Sequence, residues 1–154
     1  FLQPPHPNFN NMPICPFIKG DLQTGNIKFM VYNSNMDKSL IEMIREWDDS
    51  QFKTGLILHI GDDMETIVRK PYQKFLNEEL KKNQMGDVKL LCFSPFEDFN
   101  ISGIDTRKSA PCMLYNLAKR KDLQEAGEKL LKTKWYDNLL TEDFKRLNIK
   151  KKIL

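Results

Sequence analysis

The chain has 154 residues, enough for one domain with a hydrophobic core and too few for two. Its 29% charged residues and formal net charge of +3 are typical of a soluble protein. No apolar run approaches the about 20 residues of a membrane-spanning helix, which argues against a membrane protein. Three cysteines at wide spacing argue against a disulfide framework and predict a reducing, cytoplasmic location.

The chain begins with a proline-rich stretch. Four of the eight prolines lie in the first thirteen residues, and each restricts the residue before it. Residues 1–16 are therefore predicted to form an extended arm. Residues 17–154 are predicted to form a single α/β domain whose C-terminal part is helical.

Three apolar segments predict the strands of this domain. In Ile27–Tyr32, every second residue from Ile27 to Val31 is apolar and lies on one face of the predicted strand. Leu56–Ile60 is instead a nearly continuous apolar run, as in a strand buried on both faces. Val88–Phe93 is the third predicted strand. An extra edge strand from residues 99–103 or from the arm is left open.

Two helices are predicted between these strands. Asn35 is a candidate N-cap for the first helix, over residues 36–47, where apolar residues recur at helical spacing. Asp62 and Glu65 have the spacing of a capping box for the second helix. Pro71 then breaks or restarts that helix.

From Arg107 onward the chain is predicted to be mostly helical. The predicted helix starts are Ser109, Asp122 and Thr141. The first of these helices would carry Met113, Leu114 and Leu117 into the core. Strands that alternate with helices indicate a small, largely parallel βαβαβ sheet with C-terminal helices, and a ferredoxin-like α+β fold is the alternative.

Ligands of open parallel sheets bind beyond the carboxyl ends of the strands, and here those ends are polar. They carry Asn33, His59, Ser94 and Glu97. His59 is one of only two histidines, and a base, a metal ligand and a buried core imidazole are all open interpretations of it. Asn33, Ser94 and Glu97 are predicted to line a ligand pocket.

Cys15 is the candidate reactive thiol. It lies outside any apolar strand pattern, directly before Pro16, which suits the first turn of a helix. A helix N-terminus and the nearby Lys19 would both lower the pKa of a thiol. The predicted catalytic residues are Cys15, His59 and Tyr115. The alternative is that Cys15 fills the core beneath the arm.

Cofactors are left unknown by the sequence. It contains no CxxC, HxxxH or HExxH spacing, so any metal ligand set is unknown. The acidic pairs Asp48–Asp49, Asp62–Asp63 and Glu97–Asp98 would hold a hard cation only if the fold brought them together. A glycine-rich phosphate loop is also absent, which argues against dinucleotide chemistry.

Charge is divided unevenly along the chain. Residues 1–106 carry a net charge of −4 and residues 107–154 a net charge of +7. Arg107, Lys108 and Ser109 are therefore predicted to meet a small anionic ligand. Nucleic acid is a less favoured partner, because the basic tail lacks the aromatic residues of a single-strand platform. No membrane partner is expected, and the oligomeric state is left open.

Several segments in order resemble a bacterial family of small conserved proteins of unknown function. That family carries a Leu-Cys-Pro-Phe-Ala segment, a Phe-His-Pro segment and an Asn-Arg-Ser-Pro-x-Pro-x-Leu-His segment. The likeness covers residues 10–123 and rests on residues that fit these segments. Those residues are Cys15, Pro16, Phe17, Phe93, Pro95, Ser109, Met113 and Leu114.

The chain departs from the family pattern at both of its histidines. Ser94 and Tyr115 stand where the family has histidine, and Cys112 replaces an aromatic or variable residue. The resemblance implies a related fold and an importance for Cys15, and it implies no activity. The residues themselves predict a thiol- or metal-dependent enzyme with its site at the strand ends. The alternative is a non-catalytic module that docks its basic helical part on an acidic partner.

Overall fold

Eight strands and four α-helices make up the described part of the chain. The computed structural model describes residues 5–6, 11–13, 16–61, 63–96, 100–101, 104–105 and 112–135. In chain order its elements are β1 (Pro5–His6), β2 (Met12–Pro13), α1 (Pro16–Gln23), β3 (Ile27–Tyr32), α2 (Leu40–Asp48), β4 (Thr54–His59), α3 (Arg69–Lys82), β5 (Val88–Phe93), β6 (Asn100–Ile101), β7 (Ile104–Asp105), β8 (Met113–Lys119) and α4 (Arg120–Leu130).

The central sheet has four strands in the order β3-β4-β8-β5. β3 and β4 are parallel, whereas β8 is antiparallel to both of its neighbours. The predicted α/β class is therefore confirmed, but the largely parallel sheet is wrong. The ferredoxin-like alternative does not fit either, since α3 separates the second and third sheet strands, which a ferredoxin-like fold joins directly.

β8 occupies the segment that was predicted to be a helix after Ser109. Met113, Tyr115 and Leu117 are buried on one face of this strand, and the residues between them are half-buried. Met113 and Leu117 are four residues apart, a spacing that fits a helix as well as a strand. Pairing with β4 and β5 decides in favour of the strand, and the prediction that the chain is mostly helical from Arg107 is wrong over this segment.

α2 begins four residues later than predicted, because a capping box starts it at Ser39 instead of Asn35. The Ser39 Oγ accepts a hydrogen bond from the Glu42 backbone N–H, and the Glu42 carboxylate accepts one from the Ser39 backbone N–H. The Ser39 hydroxyl also donates to the Glu42 carboxylate, and this bond and the one from the Ser39 backbone N–H lower the pKa of Glu42. The reciprocal pair satisfies two backbone donors that a helix start leaves open.

The other helices also begin at residues that differ from the predicted ones. A short 3₁₀ turn spans Met64–Thr66, and α3 follows at Arg69, so the second helix starts later than the Asp62 capping box predicted. Asp62 itself lies outside the described residues. Pro71 is the third residue of α3, where the backbone N–H has no partner within the helix. α4 begins at Arg120, two residues before the predicted start, and the Thr141 helix lies outside the described residues.

Two short hairpins stand apart from the sheet. β1 pairs only with β2, and β6 only with β7, among the residues that the structure describes. Neither supplies the extra edge strand left open by the sequence. The fourth strand of the sheet comes instead from β8.

α2 and α3 lie on the same face of the sheet, as right-handed crossovers that step in one direction across it require. Their apolar residues join those of the strands in one cluster. This core includes Leu40, Met43, Ile44 and Trp47 of α2, Leu76 and Leu80 of α3, and Ile57, Val88, Leu90, Met113, Tyr115 and Leu117 of the sheet. The parallel pair β3 and β4 places its two carboxyl ends side by side, at the edge of this core.

Candidate functional site

A buried histidine at the carboxyl end of β4 is the centre of the candidate site. The side chain of His59 is 1% exposed, and its ring packs edge-on against Tyr32, with 4.8 Å between the ring centroids. Tyr32 lies opposite His59 in the parallel register of β3 and β4. Burying an imidazole in a core is costly unless its nitrogens find partners.

The Nδ1 atom of His59 has such a partner in Tyr115 of β8. The phenolic oxygen lies 2.6 Å from Nδ1, a short hydrogen bond. Tyr115 is fully buried and also shares a hydrogen bond with Tyr72 of α3. Burial raises the pKa of both phenols, that of Tyr115 far above its usual range, so both stay protonated at neutral pH. Sheet and helix thus hold the imidazole from one side.

The Nε2 atom of His59 faces a carboxylate. Asp63 Oδ1 lies 3.3 Å away, within ion-pair distance, but the two atoms are not aligned for a hydrogen bond. Among the described residues neither atom has another hydrogen-bond partner, and neither is reached by solvent. The Asp63 side chain is nevertheless 41% exposed. Asp63 therefore connects the buried imidazole to the surface.

Gly61 packs closely beside this pair. Its backbone has a φ of +148°, which side-chain-bearing residues rarely adopt. A Cβ at this position would lie 2.9 Å from Asp63 Oδ1, 3.5 Å from Ser34 Oγ and 3.6 Å from Asn33 Oδ1. Three side-chain oxygens that follow the ends of two strands therefore lie near Gly61. The Asn33 amide oxygen also accepts the Asn35 backbone N–H at 2.9 Å.

The structure brings some of the sequence-predicted site residues together. His59, Tyr115 and Asn33 lie at or beside the same strand ends. Ser94 is buried just after β5, where its Oγ accepts the Phe96 backbone N–H at 3.1 Å, a local turn contact. The remaining predicted residues lie outside the described part. They are Cys15, Glu97, Arg107, Lys108 and Ser109.

Three residues of the constellation were not among the sequence-predicted site residues. Asp63 follows His59 by four residues, a signal that the sequence contained within the acidic pair. Tyr72 has the spacing of a core residue on α3, and Tyr32 that of a strand end. Nothing local in the sequence links either tyrosine to His59.

The cysteines and metal ligands add no second centre to the described part of the chain. Cys92 and Cys112 are both buried, and burial raises the pKa of the Cys112 thiol. Cys92 lies opposite Tyr115 in the register of β5 and β8. Within the described residues, no group of three or more His, Cys, Asp or Glu side chains is placed to hold a metal ion.

A surface cleft of about 440 Å³ lies at the other edge of the sheet, between the C-terminal ends of α2 and α3. Arg45 there donates a hydrogen bond to Asn83 at 3.3 Å. Asp48, also in its lining, forms an ion pair with Lys119 of β8. Because these charges join elements of the fold to one another, we do not place the functional site in this cleft.

Comparison with known proteins adds no assignment. No protein-family model, no curated protein and no solved structure matches the chain. The resemblance to the bacterial family with the Cys-Pro-Phe segment therefore stays a prediction. In the part of the chain that the structure describes, no helix is long and apolar enough to cross a bilayer.

Proposed function

We propose that this protein is an enzyme whose active site lies at the carboxyl ends of β3 and β4. The observation that carries the proposal is the contact between buried His59 and half-exposed Asp63. A carboxylate at the surface, backed by an imidazole, a buried phenol and a half-buried phenol, is an arrangement suited to proton transfer. Structural cores seldom bury so many polar groups in one place, because each must be satisfied.

Asp63 is the catalytic residue in this proposal. Its Oδ1 is buried against His59, which leaves the rest of the side chain, with the second carboxylate oxygen, for a ligand to reach. That oxygen would accept a proton from the substrate or from an attacking water. The small ligand would approach over Asn33 and Ser34 at the end of β3.

His59 and Tyr115 are positioning residues. Both are buried, so neither touches the substrate directly. His59 Nε2 lies 3.3 Å from the carboxylate, and the hydrogen bond between His59 Nδ1 and Tyr115 fixes the orientation of the imidazole. This order, from a surface group to a buried partner and then to a third group, is typical of catalytic constellations.

Replacing Asp63 by asparagine is the direct test. We expect a fall of about 10²–10⁴ in the rate, because the amide keeps the shape but cannot accept a proton. The assay is hydrolysis of chromogenic ester and phosphate-ester substrates by the purified protein. Asp49→Asn is the matched control, since Asp49 is an exposed carboxylate far from the site, and its rate should be unchanged. A rate that survives in Asp63→Asn would refute the role of Asp63.

The thiol part of the proposal rests on Cys15. α1 begins at Pro16, directly after it, and a helix start lowers the pKa of a thiol. We expect one cysteine to react with iodoacetamide rapidly at neutral pH and that Cys15→Ser abolishes this fast phase. Cys92 and Cys112 should react slowly because both are buried. Uniformly slow labelling of the native protein would leave the thiol without a chemical role.

The described part of the basic region gives little support to the alternative, a docking module. α4 carries three basic and three acidic residues, so its net charge is zero. Opposite charges also pair along it, as Lys121 and Glu125 do at 3.9 Å. A helix that docks on a polyanion presents a face of one sign. We therefore place the enzyme proposal first.

A further inference from the structure

His59 Nε2 and Asp63 Oδ1 form a buried pair of polar atoms that lacks a hydrogen bond. They lie 3.3 Å apart, solvent does not reach either of them, and among the described residues neither has a hydrogen-bond partner. Buried polar atoms are nearly always satisfied, and those that are not often mark an ion or a water. A cation placed between the two atoms would interact favourably with both of them.

The hydrogen bonds on the other side of the ring decide which nitrogen carries the hydrogen. If Tyr115 donated to Nδ1, then Nε2 would carry a hydrogen with no acceptor in line, because no hydrogen bond joins it to Asp63. If instead Nδ1–H donates to Tyr115, the Tyr115 hydroxyl can donate to Tyr72, and the hydrogens of His59 and Tyr115 both have an acceptor. We assign the second arrangement. It leaves Nε2 with a lone pair that faces Asp63.

A metal-binding histidine has this same arrangement. Its second ring nitrogen almost always donates to a fixed partner, which orients the ring and makes the ligating nitrogen more basic. Two ligands at about 2.1 Å from one ion lie about 3.0–3.4 Å apart at octahedral or tetrahedral angles. The separation of 3.3 Å between Nε2 and Oδ1 falls within that range.

Further oxygen donors lie nearby. Measured from the position that a Cβ of Gly61 would take, Asp63 Oδ1 lies at 2.9 Å, Ser34 Oγ at 3.5 Å and Asn33 Oδ1 at 3.6 Å. With His59 Nε2 they offer one nitrogen and three oxygens near the ends of β3 and β4. Such a mixed set suits a divalent ion such as Mn²⁺ or Zn²⁺ better than a soft ion, which prefers sulfur.

We propose that His59, Asp63 and Asn33, with Ser34 beside them, form a binding site for one divalent metal ion. The protein would bind the ion whether or not it is an enzyme, whereas a catalytic role for the ion rests on the proposed function. In that role the ion would polarise a carbonyl or phosphoryl oxygen of the substrate. Only two of the four side chains are of the strongly ligating types, so water or substrate must complete the coordination.

Metal titration of the whole chain tests the site without an activity assay. Protein freed of metal with EDTA and dialysed is titrated with MnCl₂ by calorimetry and with CoCl₂ by visible absorption. We expect one ion per chain, with cobalt bands that indicate nitrogen ligation. Asp63→Asn should weaken binding at least about 10-fold, since it removes the only carboxylate of the set. Tyr115→Phe should weaken it about 10–100-fold, the usual effect of losing the partner of a ligating histidine.

Two controls separate this site from adventitious binding. His6→Gln removes the other histidine of the chain, and Asp49→Asn removes an exposed carboxylate elsewhere. Both should bind as the wild type does. Circular dichroism checks that each variant is folded.

The outcomes separate this inference from the proposed function. Absence of saturable binding in the wild type overturns the metal site, and so does binding that survives Asp63→Asn or disappears in His6→Gln. If catalysis persists in EDTA and no ion binds, the proposed function stands and the metal site fails. If one ion binds as described but no substrate is turned over, the metal site stands and the proposed function fails.

Discussion

Gly55→Ala is expected to destabilise the fold by about 1–3 kcal/mol, the usual cost of an added methyl group in a packed core. Gly55 lies in β4, under α2. A Cβ there would lie 2.9 Å from Leu117 Cδ1 and 3.0 Å from both Cδ1 and Nε1 of Trp47. Trp47 is fully buried, so its rigid ring has little room to move aside. Urea unfolding followed by tryptophan fluorescence measures the change.

Gly127→Ala is the matched control, with the opposite sign expected. Gly127 lies inside α4, and a Cβ there would meet nothing within 4 Å. Alanine should therefore stabilise that helix by up to about 1 kcal/mol through helix propensity alone. Equal stabilities of the two variants would contradict the close packing of β4 against α2.

The first three strands of the sheet could be predicted because their signal is local. Ile27–Tyr32 and Val88–Phe93 have the predicted bounds, and β4 differs from its prediction by two residues at the start and one at the end. Each is a short apolar run between turn residues. Such runs form strands in sheets of any topology, so the neighbouring strands need not be known to predict them.

β8 could not be predicted in the same way, because its conformation depends on distant partners. Met113 pairs with His59 and Leu114 with Phe93, residues from two separate strands. β8 lies between β4 and β5. Its pairing with these two strands decides that the segment is a strand and not a helix. The same insertion turns the expected parallel sheet into a mixed one.

The candidate site shows the same division between local and distant signals. Asp63 lies four residues from His59, and the sequence alone can relate them. Tyr115 is 56 residues from His59 and reaches it only because β8 pairs with β4. Tyr72 arrives from α3, which packs over the same sheet. The sequence therefore placed His59 and Tyr115 in one site, with Tyr115 on a predicted helix, and it missed Tyr32 and Tyr72.

Tyr115→Phe is expected to cost about 1–3 kcal/mol at neutral pH, because it leaves the buried Nδ1 of His59 without its partner. The ring and its packing are unchanged, so the loss reports the hydroxyl alone. Tyr72→Phe removes the next hydroxyl of the network and leaves the contact with His59 in place. We expect it to cost less, since Tyr72 is only half-buried. Chemical denaturation at pH 7 compares the three proteins.

The same variant gives a distinct result in alkali. Burial raises the pKa of Tyr115 above its ordinary value of 10.0, so the folded chain keeps a proton that the unfolded chain releases. The contribution of this proton to stability is full below pH 10 and is lost as the pH rises further, by up to about 1.4 kcal/mol per pH unit. The free energy of unfolding of the wild type should therefore fall faster above pH 10 than that of Tyr115→Phe, and the difference between them should shrink. Parallel curves for the two proteins above pH 10 would show that the Tyr115 hydroxyl is not held protonated in the core.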